Sequence, residues 1–165
     1  MLLRWRSSPE VNAASLTAVT HDMAAQRRWF AAVSQDPTRR YWLIAYHGRP
    51  IGVVNLVQLS LVDRHSSAGF YIGEPSYRSL GGMVLPYLYN YMFGELKLHK
   101  MFGEVVASNV VVLAMHRRHG YREVGRYTDH ICRDGVFEDV VLVELLAETW
   151  LAQPRYRGMV AEFEA

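Results

Sequence analysis

Apolar runs separated by turn residues divide the chain, and the runs rich in β-branched and aromatic residues predict six strands. The predicted strands cover residues 41–46, 51–58, 68–73, 101–107, 123–133 and 137–146. The turn His47-Gly48-Arg49-Pro50 joins the first two strands, and Asp134-Gly135 joins the last two. Short turns of this composition predict two antiparallel hairpins.

Helix signals lie between these runs, where capping residues or glycines precede helical spacing of apolar positions. The predicted helices begin at Ser8-Pro9, at Thr20-His21-Asp22, at Gly81-Gly82 and at Asn109. The second helix is expected to stop before Asp36-Pro37, because a residue that precedes proline is pushed out of the helical region. The third helix is expected to end near Leu98 and the fourth at Gly120.

The order of these elements predicts an α+β fold. Two helices precede a meander of three strands, and a helix, a strand, a helix and a hairpin follow. We therefore expect one domain over residues 1–165 with a mixed, mostly antiparallel central sheet and helices on both faces. The hydrophobic pattern fades beyond Trp150, which predicts a mobile tail over residues 153–165.

The composition mainly excludes certain partners and kinds of site. Lys plus Arg number 18 against 16 Asp plus Glu, which is not the charge balance of a nucleic-acid-binding surface. One cysteine and seven scattered histidines show no metal-ligand spacing. Residues 1–10 do not have the pattern of a signal peptide, and no apolar stretch is long enough to cross a membrane. We expect a cytoplasmic protein without a metal, membrane or nucleic-acid partner; a homodimer is compatible with the sequence.

Residues 69–83 are the most informative stretch of the chain. A short apolar strand passes through a Pro/Ser turn into Gly81-Gly82, and Pro86 predicts that the next helix begins at this glycine pair. The free N–H groups of a helix start, together with the charge of Arg78, favour an anion such as phosphate. A Gly-Gly pair before a helix is also common as a plain turn between two elements. The spacing alone therefore leaves open whether this stretch binds phosphate or is only a turn.

Two motifs resemble the GNAT acetyltransferase superfamily. The run Arg78-Ser79-Leu80-Gly81-Gly82 resembles its Gln/Arg-x-x-Gly-x-Gly/Ala pyrophosphate loop. A second set is similar in spacing to the family's Asn…Leu-Tyr-x-Lys-x-Gly-Phe helix: Asn109, Met115, His116, Arg118, Gly120 and Tyr121. The resemblance covers nearly the whole chain and implies a GNAT fold and transfer of acetyl from acetyl-CoA to an amine.

Within that superfamily the chain looks most like the UDP-4-amino-sugar N-acetyltransferases of the pseudaminic acid pathway. Residues 3–11, 50–55, 96–100, 103–105, 134–140 and 148–150 carry this similarity. Three departures are visible. Met83 replaces the small last residue of the loop, and His116 stands where many relatives have a tyrosine taken to be the general acid. Few residues precede Arg4, so either the start is truncated or the sheet lacks the first strand typical of the fold.

The resemblance implies how acetyl-CoA is held. Strand residues Phe70, Tyr71 and Ile72 would pair with the pantetheine arm and supply a backbone N–H to the oxyanion, and Arg78, Ser79, Leu80, Gly81 and Gly82 would hold the pyrophosphate. Met115 and Arg118 would line the cofactor site. Asn109 would bind the cofactor arm, and it also suits a helix N-cap; the two roles are compatible.

Acetyl transfer needs a base for the amine and a proton for the departing thiolate. Glu104, in an otherwise apolar strand, is the candidate base, although it could simply lie on a solvated strand face. His116 is the candidate acid, because an imidazolium can protonate a thiolate near neutral pH. A surface histidine in the basic run His116-Arg117-Arg118-His119 is an equal alternative.

Three residues are candidates for acceptor binding. The resemblance implies that Arg6 and His21 lie near helices that wall off the sugar-nucleotide site, so Arg6 could pair with a phosphate. Arg6 could equally be a surface charge beside Trp5. Asn55 interrupts an apolar strand and could face the acceptor, although a solvated strand position is the commoner explanation. Two other functions stay open: an N-terminal acetyltransferase of ribosomal-protein type, and an acyl-CoA-binding domain without catalysis.

Overall fold

The computed structural model describes residues 1–15 and 17–164, and a mixed six-stranded sheet forms its centre. The strands are β1 (Arg40–Tyr46), β2 (Arg49–Ser60), β3 (His65–Ile72), β4 (Lys100–Val106), β5 (Arg122–Arg133) and β6 (Val136–Leu146). Their order across the sheet is β1-β2-β3-β4-β6-β5. Only the β3–β4 pair is parallel among the pairs of this sheet, so the predicted α+β fold and both predicted hairpins are confirmed.

Six α-helices surround the sheet in the described part of the chain. They are α1 (Leu2–Arg6), α2 (Pro9–Ala14), α3 (Met23–Val33), α4 (Gly81–Tyr89), α5 (Val110–His119) and α6 (Ala147–Leu151). A 3-10 turn, Pro75–Leu80, precedes α4, and a π-helical turn, Asn90–Glu95, follows it. A further 3-10 turn is Pro154–Tyr156. No helix in residues 1–15 and 17–164 is long and apolar enough to cross a membrane.

The predicted helix caps form as the residue types indicated. Ser8 caps α2, with its hydroxyl accepting from the Val11 N–H at 3.4 Å, and Pro9 occupies the first helical position. The Asp22 carboxylate caps α3 by accepting from the N–H groups of Ala24 and Ala25 at 2.8 and 3.0 Å. These contacts satisfy donors that a helix start leaves without partners.

Three predicted details were wrong. Helix α1 was not predicted; it forms because Trp5 is buried and its indole N–H donates to Glu74 Oε1 at 2.8 Å, a contact across 69 residues. Strand β3 begins earlier than expected, since the buried Ser66 hydroxyl donates to the Val57 carbonyl of β2. Helix α4 begins at the predicted Gly81 but ends at Tyr89 in the π-helical turn, and Pro86 lies inside it rather than in its first turn.

The two faces of the sheet have different neighbours. On one face, side chains of α4, α5 and α6 form one apolar cluster with alternate strand residues such as Val54, Met101 and Val105. We call this side the core face. The opposite face carries α3, in which no described residue is buried. Helices therefore lie on both faces. The opposite face is open beside α3, whereas Ile51 and Val53 of β2, on that face, are buried, as are Trp5 of α1 and Val11 of α2.

The C-terminal segment makes defined contacts as far as it is described. The Phe163 ring stacks on Tyr91 with centroids 4.2 Å apart, and the Trp42 indole N–H donates to the Glu164 carbonyl at 2.7 Å. The Asn90 side chain donates to the carbonyls of Tyr156 and Met159. The mobile tail predicted for residues 153–165 stays a prediction; Ala165 lies outside the described residues.

Candidate active site

The sheet splits between its two central strands. The parallel pairing of β3 with β4 covers only three positions, from His65↔Lys100 to Ser67↔Phe102. Beyond them β3 continues to Ile72 and β4 to Val106, without pairing to each other. A cleft of about 2510 Å³ opens there, and residues of both sheet faces line it. The split leaves a strand edge available to a ligand.

The free edge of β3 has backbone donors directed into the split. The Gly73 N–H bonds to the Ile51 carbonyl of β2, and the antiparallel register pairs Val53 with Tyr71. Since neighbouring residues of a strand direct their N–H groups to opposite sides, Phe70 and Ile72 direct theirs away from β2. This edge fits a group with amide hydrogen-bonding atoms, such as the pantetheine arm of acetyl-CoA.

The predicted phosphate loop lies at the mouth of the same cleft. The Pro75–Leu80 turn carries Arg78, Ser79 and Leu80, and α4 begins immediately at Gly81. A Cβ on Gly82 would meet no atom within 4 Å, so its backbone is open to close approach. Gly81, Gly82 and Arg78 line the cleft, and Met83 is exposed there. The loop therefore has the open helix start that a phosphate group requires.

The Arg78 guanidinium forms an ion pair within the protein. Its Nη2 lies 3.4 Å from Glu10 Oε2 on α2, and both side chains are exposed. Together with the backbone hydrogen bond of Glu10, this charge lowers the pKa of the Glu10 carboxyl. A pyrophosphate at the loop would compete with Glu10 for the same guanidinium.

Helix α5 forms the other wall of the cleft. Asn109 is its N-cap, with Oδ1 accepting from the Val112 N–H at 3.3 Å, so the capping role is present and its amide end lies at the cleft. Met115 is half-buried and Arg118 exposed, and both line the cleft. Gly120 ends the helix in the left-handed conformation, at φ +93°.

His116 also lines the cleft, but its charge state differs from the one predicted. Burial, and the nearby His119, lower the pKa of His116 from 6.5 to about 4. Its ring lies against Tyr121, with centroids 4.4 Å apart, and its Nδ1 is buried without a hydrogen-bond partner. At neutral pH the imidazole is uncharged in this structure, which does not fit the imidazolium expected from the sequence.

Glu104 stands on the free edge of β4, on the face opposite the core. Continuing the β3–β4 register by two residues places it across the split from Gly69. Its side chain is exposed rather than half-buried, lines the cleft, and forms no hydrogen bond or ion pair with any residue described. The carboxylate is therefore available to a proton carried by a ligand.

The predicted acceptor residues separate into two groups. Asn55 lines the cleft, and its Oδ1 accepts from the Gly69 N–H at 3.0 Å. Arg6 also lines the cleft, but its guanidinium donates to Asn12 Oδ1, Thr17 Oγ1 and the Thr17 carbonyl. Nδ1 of the exposed His21 lies 3.0 Å from the Ser7 hydroxyl, and His21 is not among the residues that line the cleft.

Aromatic residues on the face of the sheet that carries Asn55 and Glu104 were not predicted from the sequence. We call this face the acceptor side. Tyr41 of β1 lies beside Asn55 in register and meets Trp29 of α3 edge to face, with centroids 5.1 Å apart. Tyr71 shares this face, and burial raises its pKa to about 12, so its phenol stays protonated. The alternation of side chains along β1 was the available signal for these residues in the sequence, but it did not reveal which face of the sheet lines the cleft.

Comparisons with known proteins agree with this arrangement. A family model described as an acetyltransferase (GNAT) domain matches residues 1–122. The acetyltransferase PseH of Campylobacter jejuni subsp. jejuni serotype O:23/36 (strain 81-176) is 22% identical over 134 residues, 80% of this chain and 83% of that protein. YdaF of Bacillus subtilis (strain 168), named as a candidate ribosomal N-acetyltransferase, is 27% identical over 108 residues, 65% of this chain and 59% of that protein.

A solved structure shares the fold. The spermidine N-acetyltransferase of Vibrio cholerae in complex with CoA and spermine superposes with a TM-score of 0.81 at 16% identity, covering 90% of this chain and 89% of that one. The split sheet, the glycine loop before α4 and the match over residues 1–122 lead to one assignment. The chain belongs to the GNAT acetyltransferase family and is an acetyl-CoA-dependent N-acetyltransferase.

Proposed function

We propose that this enzyme acetylates the 4-amino group of a UDP-linked deoxy-amino-sugar. The observation that carries the proposal is the charge distribution on the acceptor side of the cleft, where Glu104 has no hydrogen-bond or ion-pair partner among the residues described. The resemblance of residues 3–11, 50–55 and 134–140 to UDP-4-amino-sugar N-acetyltransferases supports the same substrate class. The homodimer and the cytoplasmic location expected from the sequence stay predictions.

The carboxylates near the acceptor side favour an acceptor with one amine. Asp22 accepts from two backbone N–H groups, Asp36 is bound by Thr38 and Arg39, and Glu10 pairs with Arg78. Among the cleft-lining carboxylates described, Glu104 is the one without a hydrogen-bond or ion-pair partner. A polyamine would bring several ammonium groups to a region that offers them few free carboxylates. A sugar with one amine needs only one free carboxylate.

The remaining features suit a nucleotide sugar. Arg6, although bound within the protein, keeps a guanidinium at the cleft wall for a phosphate. Trp29 and Tyr41 supply aromatic surface on the same side. Tyr71 offers a protonated hydroxyl that can donate to a sugar or phosphate oxygen.

The residues have the following parts in the proposed reaction. Glu104 takes a proton from the acceptor ammonium, and the freed nitrogen forms a bond to the carbonyl carbon of the thioester. Backbone N–H groups of Phe70 or Ile72 stabilise the negative charge that develops on the carbonyl oxygen. The nitrogen of the adduct then loses its second proton, the carbon–sulfur bond breaks, and the thiolate takes up one proton. One of the two protons lost by the ammonium therefore forms the thiol of CoA, and the other leaves to solvent. His116, neutral at the cleft wall, can hydrogen-bond to the sulfur through a ring N–H.

A thiol-release assay with acetyl-CoA tests the proposal. The acceptors are a UDP-linked 4-amino-sugar, spermine and a peptide with a free N-terminus, each at several concentrations. We expect the amino-sugar to have the highest kcat/KM, because it presents a single amine to Glu104. Turnover of the peptide or of spermine without turnover of the sugar contradicts the substrate proposal.

A further inference from the structure

We propose that Asn55 selects the acceptor: its side-chain NH₂ group donates to a neutral oxygen beside the reacting amine and disfavours an acceptor with a second cation at that point. The inference rests on the proposed function and deepens it. It assigns the selection between hydroxylated amines and polyamines to one side chain on β2. The assignment follows from how Gly69 holds that side chain.

Gly69 fixes the orientation of the Asn55 amide. Its backbone N–H donates to Asn55 Oδ1 at 3.0 Å, so the oxygen end is occupied and the nitrogen end is the free one. The Nδ2 atom forms no hydrogen bond with the described residues, and it is not buried. Asn55 itself lines the cleft. Two N–H donors are therefore presented to the acceptor side.

The close contact depends on glycine at position 69. A Cβ built there would lie 3.3 Å from Asn55 Oδ1, tighter than ordinary van der Waals contact. The missing side chain lets the Asn55 amide lie over β3, toward the split. A residue with a side chain at position 69 would push the amide away from this place.

Asn55 and Glu104 belong to one row across the sheet. Tyr41 pairs with Asn55, Asn55 pairs with Gly69, and the continued β3–β4 register places Glu104 opposite Gly69. Strands are spaced about 4.8 Å apart, so paired strands would put the Cα atoms of Asn55 and Glu104 roughly 10 Å apart, and the split widens this gap. An amine at Glu104 would thus have its neighbouring ring substituents within reach of Asn55.

The different charges of the Glu104 carboxylate and the Asn55 amide account for the proposed selection of the acceptor. The carboxylate of Glu104 attracts the reacting ammonium. The Nδ2 group of Asn55 carries partial positive charge and only donates, so it suits a hydroxyl or ring oxygen and not an ammonium. A site built to donate to an oxygen discriminates strongly against acceptors that lack it.

Asn55→Asp tests the inference because it keeps the Gly69 contact and replaces the free donor with a carboxylate oxygen. We expect the acceptor KM for the UDP-linked 4-amino-sugar to rise about tenfold, with a smaller change in kcat. The ratio of kcat/KM for this sugar to that for spermine should fall at least about tenfold. Gly69→Ala, which displaces the amide without adding charge, should raise the sugar KM without improving spermine.

Gln58→Glu is the matched control, since it adds the same charge at an exposed, cleft-lining position of the same strand. Its sugar-to-spermine ratio should stay within about twofold of the wild type. The KM for acetyl-CoA should be unchanged in Asn55→Asp, as a general distortion of β3 would alter it. If the wild type prefers the sugar and Asn55→Asp keeps the wild-type ratio, this inference fails and the proposed function stands. If the wild type prefers spermine, both fail.

Discussion

At the scale of single residues, Glu104 differs from the other carboxylates that line the cleft because no described residue forms a hydrogen bond or ion pair with it. Most carboxylates beside the cleft are engaged: Asp36 by Thr38 and Arg39, and Asp22 by the first N–H groups of α3. Glu104 stands at the split, where a donor from the chain would block ligand access. A group left unpaired at a cleft is a candidate for acid-base chemistry.

Glu104→Gln should lower kcat about 100-fold, because the amide cannot accept the proton of the amine. The KM for acetyl-CoA should change little, since the change lies on the acceptor face. Raising the pH should restore part of the rate by increasing the fraction of free amine. Steady-state assays from pH 6.5 to 9.5 measure this, with Glu95→Gln, an exposed carboxylate that does not line the cleft, as control. A full rate in Glu104→Gln would remove Glu104 from the mechanism.

At the scale of secondary-structure elements, the start of α4 has a composition that suits the phosphate site we propose better than it suits helix stability. Two successive glycines open the helix although alanine would favour it by about 1 kcal/mol per position. The Gly82 backbone faces open space, where a phosphate can approach the first N–H groups. Stability is thus forgone at the place where close approach is useful.

Gly82→Ala separates these two effects. The new methyl group meets no protein atom within 4 Å, so we expect the protein to be as stable as the wild type or slightly more so. The methyl group would stand where the pyrophosphate approaches, and the Kd for CoA should rise about tenfold or more. Thermal unfolding and calorimetric titration with CoA measure the two quantities. Met83→Ala, at the next, exposed position, is the control; equal CoA affinity in Gly82→Ala would contradict the phosphate assignment.

At the scale of the whole molecule, a buried aromatic cluster around His119 connects elements that are distant in sequence. Its imidazole meets the rings of Tyr89, Trp150 and Tyr156 edge to face, at 5.8, 6.0 and 5.5 Å between centroids. Burial lowers the pKa of His119 to about 4, assisted by the charges of Arg155 and Arg118. His116 has the same low pKa. The fold therefore holds both histidines neutral.

Acidification should destabilise the protein through these histidines. The unfolded chain binds protons near pH 6.5 and the folded chain only near pH 4, so the free energy of unfolding falls as pH drops below about 6.5. We expect a loss of about 1 kcal/mol per histidine between pH 7 and pH 5.5. Carboxylates with lowered pKa, such as Asp22 and Glu74, titrate below this window.

Urea unfolding at the two pH values measures this loss. His119→Gln and His116→Gln should each remove about half of it, whatever their effect on stability at pH 7. Since the comparison is made within each variant, a general destabilisation does not imitate the result. Equal stability of the wild type at both pH values would contradict the neutral state of the pair.

The sequence alone determined the features that depend on local interactions. The Ser8 and Asp22 caps, the hairpin turn at Asp134-Gly135 and the glycine start of α4 formed as predicted, because each is decided within a few residues. The spacing of the loop and of the Asn109 helix was enough to indicate the family, which the match over residues 1–122 confirmed.

Only the tertiary structure decided how the site works. The split between β3 and β4, the contact of Gly69 with Asn55 and the placement of Glu104 across from them depend on the pairing of strands far apart in sequence. The neutral state of His116 depends on burial, which its basic neighbours in the sequence did not suggest. Helix α1 likewise required a partner 69 residues away. Register, burial and long-range contact are properties of the assembled sheet, and no local pattern contains them.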